Sequence, residues 1–381
     1  MGRTSRTIHL ASELAKKSLL AVVLLTALHS ALAHGAERWK IQFFHDKLES
    51  SLDLRDLQCP SVNRCIAAGV LQERKGEPKG TAVVTSDAGE HWSYVDLKEV
   101  PVSLFFLNDS VGWMVTVKGI WHTEESGRTW KKVKAIKGIE RVWFQSETHG
   151  WAVGYPKAIY ETTDGGKEWT KVPAALKQPT PVDQTNYTGI SFAGPQTGLI
   201  AGNWTPGLHE GIPAWMDPAN ERRRFMKRST TILLLTRNSG KDWESINRSS
   251  NGYPTRIHLA GADLGFALFE FPGSDSPSSL FKLDLKTQQV SPVFQDKGRV
   301  ARDFTILPGG DIWLAAVELA GKSSQVPIPG KLKMLHSRTL ESWPDIPVDY
   351  RAVANRPVIS AADATHIWVA TDTGMILKLI Q

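Results

Sequence analysis

Cysteine is scarce in this sequence, and the common catalytic fingerprints are absent from it. Two of the 381 residues are cysteine, and the eleven histidines are scattered along the chain. The sequence contains no His-Glu-x-x-His, no Gly-x-Ser-x-Gly, no phosphate loop and no dinucleotide fingerprint. These absences argue against zinc hydrolases, serine esterases and nucleotide-dependent enzymes. We therefore predict no catalytic residues, no metal site and no cofactor.

Long hydrophobic runs are equally scarce, and the most prominent one lies near the N-terminus. Four basic residues precede the run Leu19–Leu28, and the small residues of Ala31-Leu32-Ala33 follow it. This order predicts a signal peptide over residues 1–33. The run is short for the roughly 30 Å of a membrane's hydrocarbon core, so we expect cleavage rather than a retained anchor. The mature chain, residues 34–381, is then expected in the periplasm or outside the cell.

A strong excess of charge of one sign is also missing. The formal net charge is +6, and removal of residues 1–33 would take away four positive charges and one negative charge, leaving +3. Such a weak basic bias argues against a nucleic-acid partner. Any basic surface that binds a partner must therefore be local.

The two cysteines, Cys59 and Cys65, lie in the segment LQCPSVNRC. In an exported protein such a close pair predicts a disulfide, which would stabilise the fold by roughly 2 kcal/mol in the loop-entropy model. A redox or metal role is disfavoured, because the spacing is not Cys-x-x-Cys and no nearby cysteine or histidine cluster completes a tetrahedral site.

Tryptophan is the residue that the sequence has in excess, with fourteen copies. Four of them end the segments Thr85–Trp92, Thr123–Trp130, Thr162–Trp169 and Thr236–Trp243, which share the pattern Thr-x-(Asp/Glu/Asn)-x-Gly-x-x-Trp. The pattern is typical of a turn: the acidic or amide side chain accepts backbone N–H groups, glycine permits a positive φ, and tryptophan buries its ring. We predict a structural role for all four turns. Their predicted structural residues are Asp87, Gly89, Trp92, Glu125, Gly127, Trp130, Asp164, Gly166, Trp169, Asn238, Gly240 and Trp243.

A short strand, a polar loop and a glycine-aromatic pair or a close variant precede these turns, as in Arg141–Val153. Four short strands at a period of about 40 residues match one blade of a β-propeller. Counting the degenerate later copies gives seven blades. The seventh shows only three strands before the chain stops, while Glu37–Phe43 looks like a fourth strand without a blade. We therefore predict an all-β, seven-bladed β-propeller in which Trp39–Phe43 completes blade seven and closes the ring.

The four turns resemble the Asp-box, also called the bacterial neuraminidase repeat. With seven blades and repeats such as Gly150–Trp169, the mature chain is similar to the photosystem II assembly and stability factor family and its bacterial relatives, most clearly over Leu104–Val172. The resemblance implies a non-enzymatic protein that binds another polypeptide and assists the assembly of a membrane complex. We accordingly expect a monomer with a protein partner, either a membrane-complex subunit or an unfolded segment.

The segment between the second and third strands of blade four, residues 203–229, is the best candidate for a binding site. Long connections in compact repeats often carry function, and tryptophan and arginine are frequent interface hot spots. The candidate binding residues are Trp204, Trp215, Arg222, Arg223, Arg224, Lys227 and Arg228. An acidic peptide, an anionic lipid headgroup or a sulfated or carboxylated glycan would suit them. The alternative is a solvated loop without a partner.

Two other functions remain open on the sequence. The first is a carbohydrate- or envelope-binding propeller, and the second is a sialidase-like glycoside hydrolase. Sialidases are six-bladed and carry an Arg-Ile-Pro type motif near the first strand. Here Asp53–Pro60 lacks this motif, and Arg256-Ile257 lies in the fifth blade without the proline. The sequence therefore favours a binding protein over an enzyme.

Deletion of Glu37–Phe43 tests the closure of the ring. Without these residues blade seven would lose its outer strand, and two sheet edges would be left open. We expect the melting temperature, followed by circular dichroism, to fall sharply. An unchanged melt would contradict closure by the N-terminal strand.

Overall fold

The computed structural model describes residues 37–205, 229–250, 252–318 and 328–381. Apart from a 3-10 turn at Val182–Gln184, the regular structure in these ranges consists of antiparallel strands. Within the same ranges no helix is long and apolar enough to cross a membrane. The predicted signal peptide over residues 1–33 lies outside the described residues.

The strands are numbered here in chain order, beginning with β1 (Arg38–Phe44). Blades one to four contain β2 (Ser50–Ser61), β3 (Arg64–Glu73), β4 (Lys79–Thr85), β5 (Ser93–Leu97); β6 (Pro101–Phe106), β7 (Gly112–Thr116), β8 (Gly119–Thr123), β9 (Lys131–Lys134); β10 (Ile139–Phe144), β11 (Gly150–Gly154), β12 (Ala158–Thr162), β13 (Thr170–Lys171); and β14 (Thr185–Ala193), β15 (Thr197–Trp204), β16 (Ser229–Thr236), β17 (Glu244–Ser250). Blades five to seven contain β18 (Tyr253–Leu259), β19 (Leu264–Glu270), β20 (Ser278–Asp284), β21 (Gln289–Gln295); β22 (Arg299–Ile306), β23 (Ile312–Glu318), β24 (Gly330–Ser337), β25 (Asp345–Ile346), β26 (Val353–Ala354); and β27 (Val358–Ala361), β28 (Ile367–Ala370), β29 (Met375–Ile380).

The described strands form seven antiparallel sheets, and each sheet is one blade. In blades one to six, four successive strands lie side by side in chain order, and in blade six β26 adds a further pairing to β24. Blade seven has the order β27, β28, β29, β1. The predicted all-β fold with seven blades is confirmed.

The ring closes through the pairing of β1 with β29, so that strands from the two ends of the propeller share one sheet. Their register places Trp39 opposite Leu379. The Trp39 side chain is buried, its ring lies edge-on to Trp313 at 5.6 Å, and its backbone N–H donates to the carbonyl of Pro347 at 2.8 Å. The predicted closure by an N-terminal strand is confirmed, and β1 is anchored to blade six as well as to blade seven.

The hydrophobic core is divided into seven clusters, and each cluster lies between two neighbouring blades. The second strand of a blade is packed on both faces, which is why β7 and β11 are buried along their whole length. Strands buried on both faces have nearly continuous apolar sequences. The glycine-aromatic pairs Gly112-Trp113 and Gly150-Trp151 therefore mark the start of a buried strand inside the blade.

The disulfide Cys59–Cys65 joins β2 to β3 in blade one. Both cysteines are buried in the cluster between blades seven and one. The backbone N–H of Cys59 also donates to the hydroxyl of Ser360 in blade seven, at 2.9 Å. The predicted disulfide is confirmed, and it lies at the seam where the ring closes.

The four repeated turns are held by the threonine that precedes them. In each turn the threonine Oγ1 accepts the N–H of the glycine four residues later, as in Thr85 with Gly89 at 3.0 Å and Thr236 with Gly240 at 2.9 Å. Asp87 accepts the N–H of His91, and the glycines have positive φ. Glu125 differs, because its carboxylate accepts the hydroxyl of a threonine four residues later. The structural role predicted for these turns is consistent with this geometry and stays a prediction.

The tryptophans that end these turns are half-buried, in contrast to the expectation of buried rings. Three of them donate their indole N–H to the glycine carbonyl of the same turn, as in Trp243 to Gly240 at 2.9 Å. The tryptophans with almost no exposed surface belong instead to the second strand of blades two, three, six and seven. They are Trp113, Trp151, Trp313 and Trp368, and Trp39 of β1 is buried to the same extent.

The turn of one blade contacts the buried tryptophan of the preceding blade. A Cβ built on Gly240 in blade four would lie 2.9 Å from the indole nitrogen of Trp151 in blade three. A Cβ on Gly89 in blade one would lie 3.0 Å from the same atom of Trp368 in blade seven. The glycine of the turn therefore serves two purposes, because it adopts a positive φ and leaves room for the neighbouring blade.

Alanine substitutions at Gly240 and Gly194 separate these two purposes. Both glycines have positive φ, +81° and +69°, so both substitutions introduce similar backbone strain of about 1 kcal/mol. No atom lies within 4 Å of a Cβ at Gly194, whereas Trp151 obstructs one at Gly240. We expect Gly240→Ala to lower the free energy of unfolding by about 1–3 kcal/mol more than Gly194→Ala in denaturant titrations. Equal effects would show that the contact between blades is unimportant.

Candidate binding site in the central channel

The first strand of every blade lines a central channel. These strands are β2, β6, β10, β14, β18, β22 and β27. The pairing of each first strand with the second strand of its blade identifies equivalent positions in the seven blades. We call one set of these positions the charged level. It consists of Asp56, Ser103, Arg141, Gly189, Arg256, Asp303 and Val358. In all but the last of these strands a register shift immediately precedes the residue, and such bulges redirect side chains.

Two ion pairs occupy the charged level. Asp56 lies 2.9 Å from Arg141 and thereby connects blades one and three, while Arg256 lies 3.0 Å from Asp303 and connects blades five and six. All four side chains are mostly buried, so their charges are screened little by water. The two carboxylates and two guanidinium groups together carry no net formal charge.

The same carboxylates bind the backbone of the next blade. Asp56 accepts the N–H of Leu57 and, from blade two, the N–H of Leu104 at 2.8 Å. Asp303 accepts the N–H of Phe304 and, from blade seven, the N–H of Ile359 at 3.0 Å. Blades one and six therefore contain the same arrangement, in which one carboxylate satisfies an arginine and two backbone donors.

A cavity of about 750 Å³, here called the wide mouth, lies where the inner strands begin. Blades five, six, seven and one supply its charged lining. The charged and polar residues of the lining are Asp53, Arg55, Tyr253, Thr255, Arg256, Glu270, Arg302, Asn355, Arg356 and Asp372. Arg55 pairs with Asp53 at 2.9 Å and Arg302 with Glu270 at 2.8 Å.

Arg356 is the arginine of the wide mouth whose charge is least compensated. Its side chain is exposed, and no carboxylate pairs with it in the part of the chain that the structure describes. Its backbone N–H donates to Asp372 at 3.2 Å, and the N–H of Asn355 donates to the same oxygen at 2.8 Å. Asp372 thus fixes the backbone and leaves the Arg356 guanidinium free to meet a ligand in the cavity.

The structure describes Trp204 alone among the binding residues predicted from sequence; Trp215, Arg222, Arg223, Arg224, Lys227 and Arg228 lie outside the described residues. Trp204 is half-buried at the end of β15, and its indole N–H donates to Gln184 at 3.1 Å. The predicted insertion lies between β15 and β16. The second strand β15 ends on the face of the wide mouth, where Glu270 ends β19 and Asp372 follows β28. The four repeated turns join third to fourth strands and lie on the opposite face.

Sequence reasoning missed the residues of the charged level, although two signals for them exist. Arg55-Asp56-Leu57 in blade one and Arg302-Asp303-Phe304 in blade six are the same tripeptide pattern at equivalent positions. A charged residue followed by an aliphatic one also recurs in blades three and five, at Arg141 and Arg256. A polar residue repeated inside otherwise apolar inner strands marks a site that faces the channel.

Comparisons with known proteins agree with this architecture. The family described as photosynthesis system II assembly factor YCF48 matches residues 132–211. The photosystem II assembly lipoprotein Ycf48 of Picosynechococcus sp. is 41% identical over 46 residues, which is 12% of this chain and 12% of that protein. The predicted resemblance to this family is confirmed, over part of the chain.

Two solved structures resemble the whole propeller. The structure of YCF48 bound to a D1 peptide has a TM-score of 0.57 at 14% identity and covers 90% of this chain and 97% of its own. YCF48 from Cyanidioschyzon merolae has a TM-score of 0.56 at 16% identity and covers 90% and 98% respectively. At these identities the likeness establishes the fold.

Removal of Asp303 tests the role of the charged level. Asp303→Ala would leave Arg256 buried without its partner and two backbone donors unsatisfied, which costs about 3–5 kcal/mol. Asp53→Ala removes the partner of Arg55, but that carboxylate is 41% exposed and its pair contributes about 0–1 kcal/mol. We expect Asp303→Ala to lower the melting temperature strongly and Asp53→Ala to leave it nearly unchanged, as measured by calorimetry. Similar melts for both variants would contradict this role.

Proposed function

We propose that this protein is an exported, non-enzymatic propeller that binds a segment of another polypeptide at the wide mouth and assists the assembly of a membrane complex. The observation that carries the proposal is the exposed, uncompensated Arg356 in an arginine-lined cavity of about 750 Å³. Arginine binds carboxylates through two parallel hydrogen bonds and is frequent in interface hot spots. The expected partner is therefore a polypeptide segment that carries a carboxylate.

The carboxylates of the channel favour binding over hydrolysis. A glycosidase needs one carboxyl group that can donate a proton and a second that acts as nucleophile or base. Asp56 and Asp303 are each engaged by an arginine and by two backbone N–H groups. Both oxygens of each carboxylate are therefore already occupied within the protein, which leaves neither residue positioned to contact a substrate.

The face of the wide mouth offers a larger surface than the cavity itself. Tyr253 and Asn355 lie at its rim, and the insertion with its predicted arginines begins at Trp204 on the same face. We propose that the basic residues of the insertion, Arg222 to Arg224 among them, contribute to the same interface. One similar structure contains a bound D1 peptide, which supports a polypeptide segment as the partner.

The proposal is tested by binding a D1 peptide and by capture from membrane extracts, with residues 34–381 as bait. Arg356→Ala and the triple variant Arg222→Ala, Arg223→Ala, Arg224→Ala remove the proposed contacts. Arg338→Ala is the matched control, because Arg338 is exposed and lies on the opposite face. Loss of a charge-assisted contact of about 1.5–3 kcal/mol weakens binding at least tenfold. We expect this loss in the first two variants and wild-type binding in the control.

Each other outcome has a defined meaning. Equal binding by all variants would place the partner's site elsewhere on the propeller. Failure of the wild-type protein to bind the peptide or to retain any membrane protein would contradict the proposed function. Circular dichroism melts of every variant show whether a loss of binding reflects a loss of folding.

A further inference from the structure

A second cavity lies beyond the charged level, on the side away from the wide mouth. Its volume is about 320 Å³, and it reaches the last residues of the inner strands, Phe106 and Ala361. Ligand sites commonly have volumes of about 300–1,000 Å³. Thr255 and Arg256 border both cavities, so the charged level separates them.

The narrow cavity is lined by residues of the charged level and by the residues that follow them in the inner strands. The positions two residues after the charged level, here called the aromatic level, are Gln58, Phe105, Trp143, Ser191, His258, Thr305 and Ser360. All of them except Ser191 line the cavity. Phe105 and Trp143 stand side by side in blades two and three, with ring centroids 5.2 Å apart at 53°. Both rings are only partly buried.

The other five positions of the aromatic level carry polar side chains. Ser191 and Ser360 use their hydroxyl oxygens to accept backbone N–H groups of Leu259 and Cys59 in the next blades. The side chains of Gln58, His258 and Thr305 make no hydrogen bond with any residue that the structure describes, and all three are partly exposed. Unsatisfied polar groups in a partly enclosed cavity are available to a ligand.

The electrostatics of the cavity favour a neutral ligand. The charged level beneath it is compensated internally by the pairs of Asp56 with Arg141 and Arg256 with Asp303. Burial lowers the pKa of His258; Asp303 and Asp56 oppose this shift, while Arg256 and Arg141 add to it, so that the net effect favours the neutral imidazole. A neutral imidazole offers one donor and one acceptor. An anion would find no free cation at this level.

We infer that the narrow cavity is a binding site for a neutral sugar ring, such as the terminal residue of an envelope glycan. The C–H groups on one face of a pyranose carry partial positive charge and pack on the negative face of aromatic rings. The hydroxyl groups at the edge of the ring both donate and accept hydrogen bonds, which suits the amide, imidazole and hydroxyl of blades one, five and six. This site is separate from the polypeptide site proposed above and stands without it.

The experiment measures binding of glucose, galactose, N-acetylglucosamine and their β-linked disaccharides to residues 34–381 by calorimetry and saturation-transfer NMR. Sialic acid is the anionic comparator. We expect at least one neutral sugar to bind and sialic acid to bind more weakly. Removing the aromatic platform with Trp143→Ala should weaken binding about tenfold.

Two further variants preserve the side-chain volume, so that a loss of binding can be separated from a loss of folding. Gln58→Leu and Thr305→Val each remove hydrogen bonds and should weaken binding about three- to tenfold. Arg356→Ala, at the wide mouth, should bind sugar like the wild type, so failure of this site and failure of the polypeptide site are distinguishable. The inference is overturned if no sugar binds, if sialic acid binds best, or if the three cavity variants bind like the wild type. Preference for a proline-rich peptide over every sugar would overturn it as well.

Discussion

Closure between β1 and β29 fixes the distances between the seven inner strands, and both cavities depend on those distances. A sheet of three strands in blade seven would leave its outer edge unpaired and the core between blades six and seven uncovered, because Trp39 packs in that core. The N-terminal segment also forms hydrogen bonds with blade one. His45, just after β1, is 2.8 Å from the hydroxyl of Tyr94 and 2.9 Å from that of Ser50. The N-terminal strand therefore connects three blades.

Bulges in the inner strands change the direction of the side chains that follow them. They thereby place charged groups in the channel of the closed ring. The residue inserted at the bulge, such as Arg55 or Arg302, lines the wide mouth, and the residue that follows it enters the charged level. One local irregularity thus supplies both sites with side chains. Bulges next to functional sites are common because they redirect a side chain without altering the rest of the sheet.

Local chemistry explains which features could be predicted from sequence. The turns around Gly89 and Gly240 depend on residues within eight positions of one another, so their pattern survives in the sequence and reveals the repeat, which the degenerate later copies extend to seven blades. The disulfide is equally local. The pair of Asp56 with Arg141 joins residues 85 positions apart, and its recognition requires the register of both inner strands. The sequence also does not show the difference in burial between two tryptophans of one cluster: Trp151 is fully buried between blades three and four, whereas Trp243 packs against the same cluster and stays half-buried.

The paired charges in the middle of the channel also determine whether binding at one proposed site affects binding at the other. Coupling between sites requires an element with two arrangements whose equilibrium both ligands bias. Asp56 and Asp303 are each held by an arginine and two backbone donors, one of them in the next blade, so moving either carboxylate would break bonds in two blades at once. Among the described residues, the charged level therefore gives a ligand in the wide mouth no bistable element through which to act on the narrow cavity. On this view the propeller presents two independent binding faces, and a polypeptide bound on one leaves the other accessible.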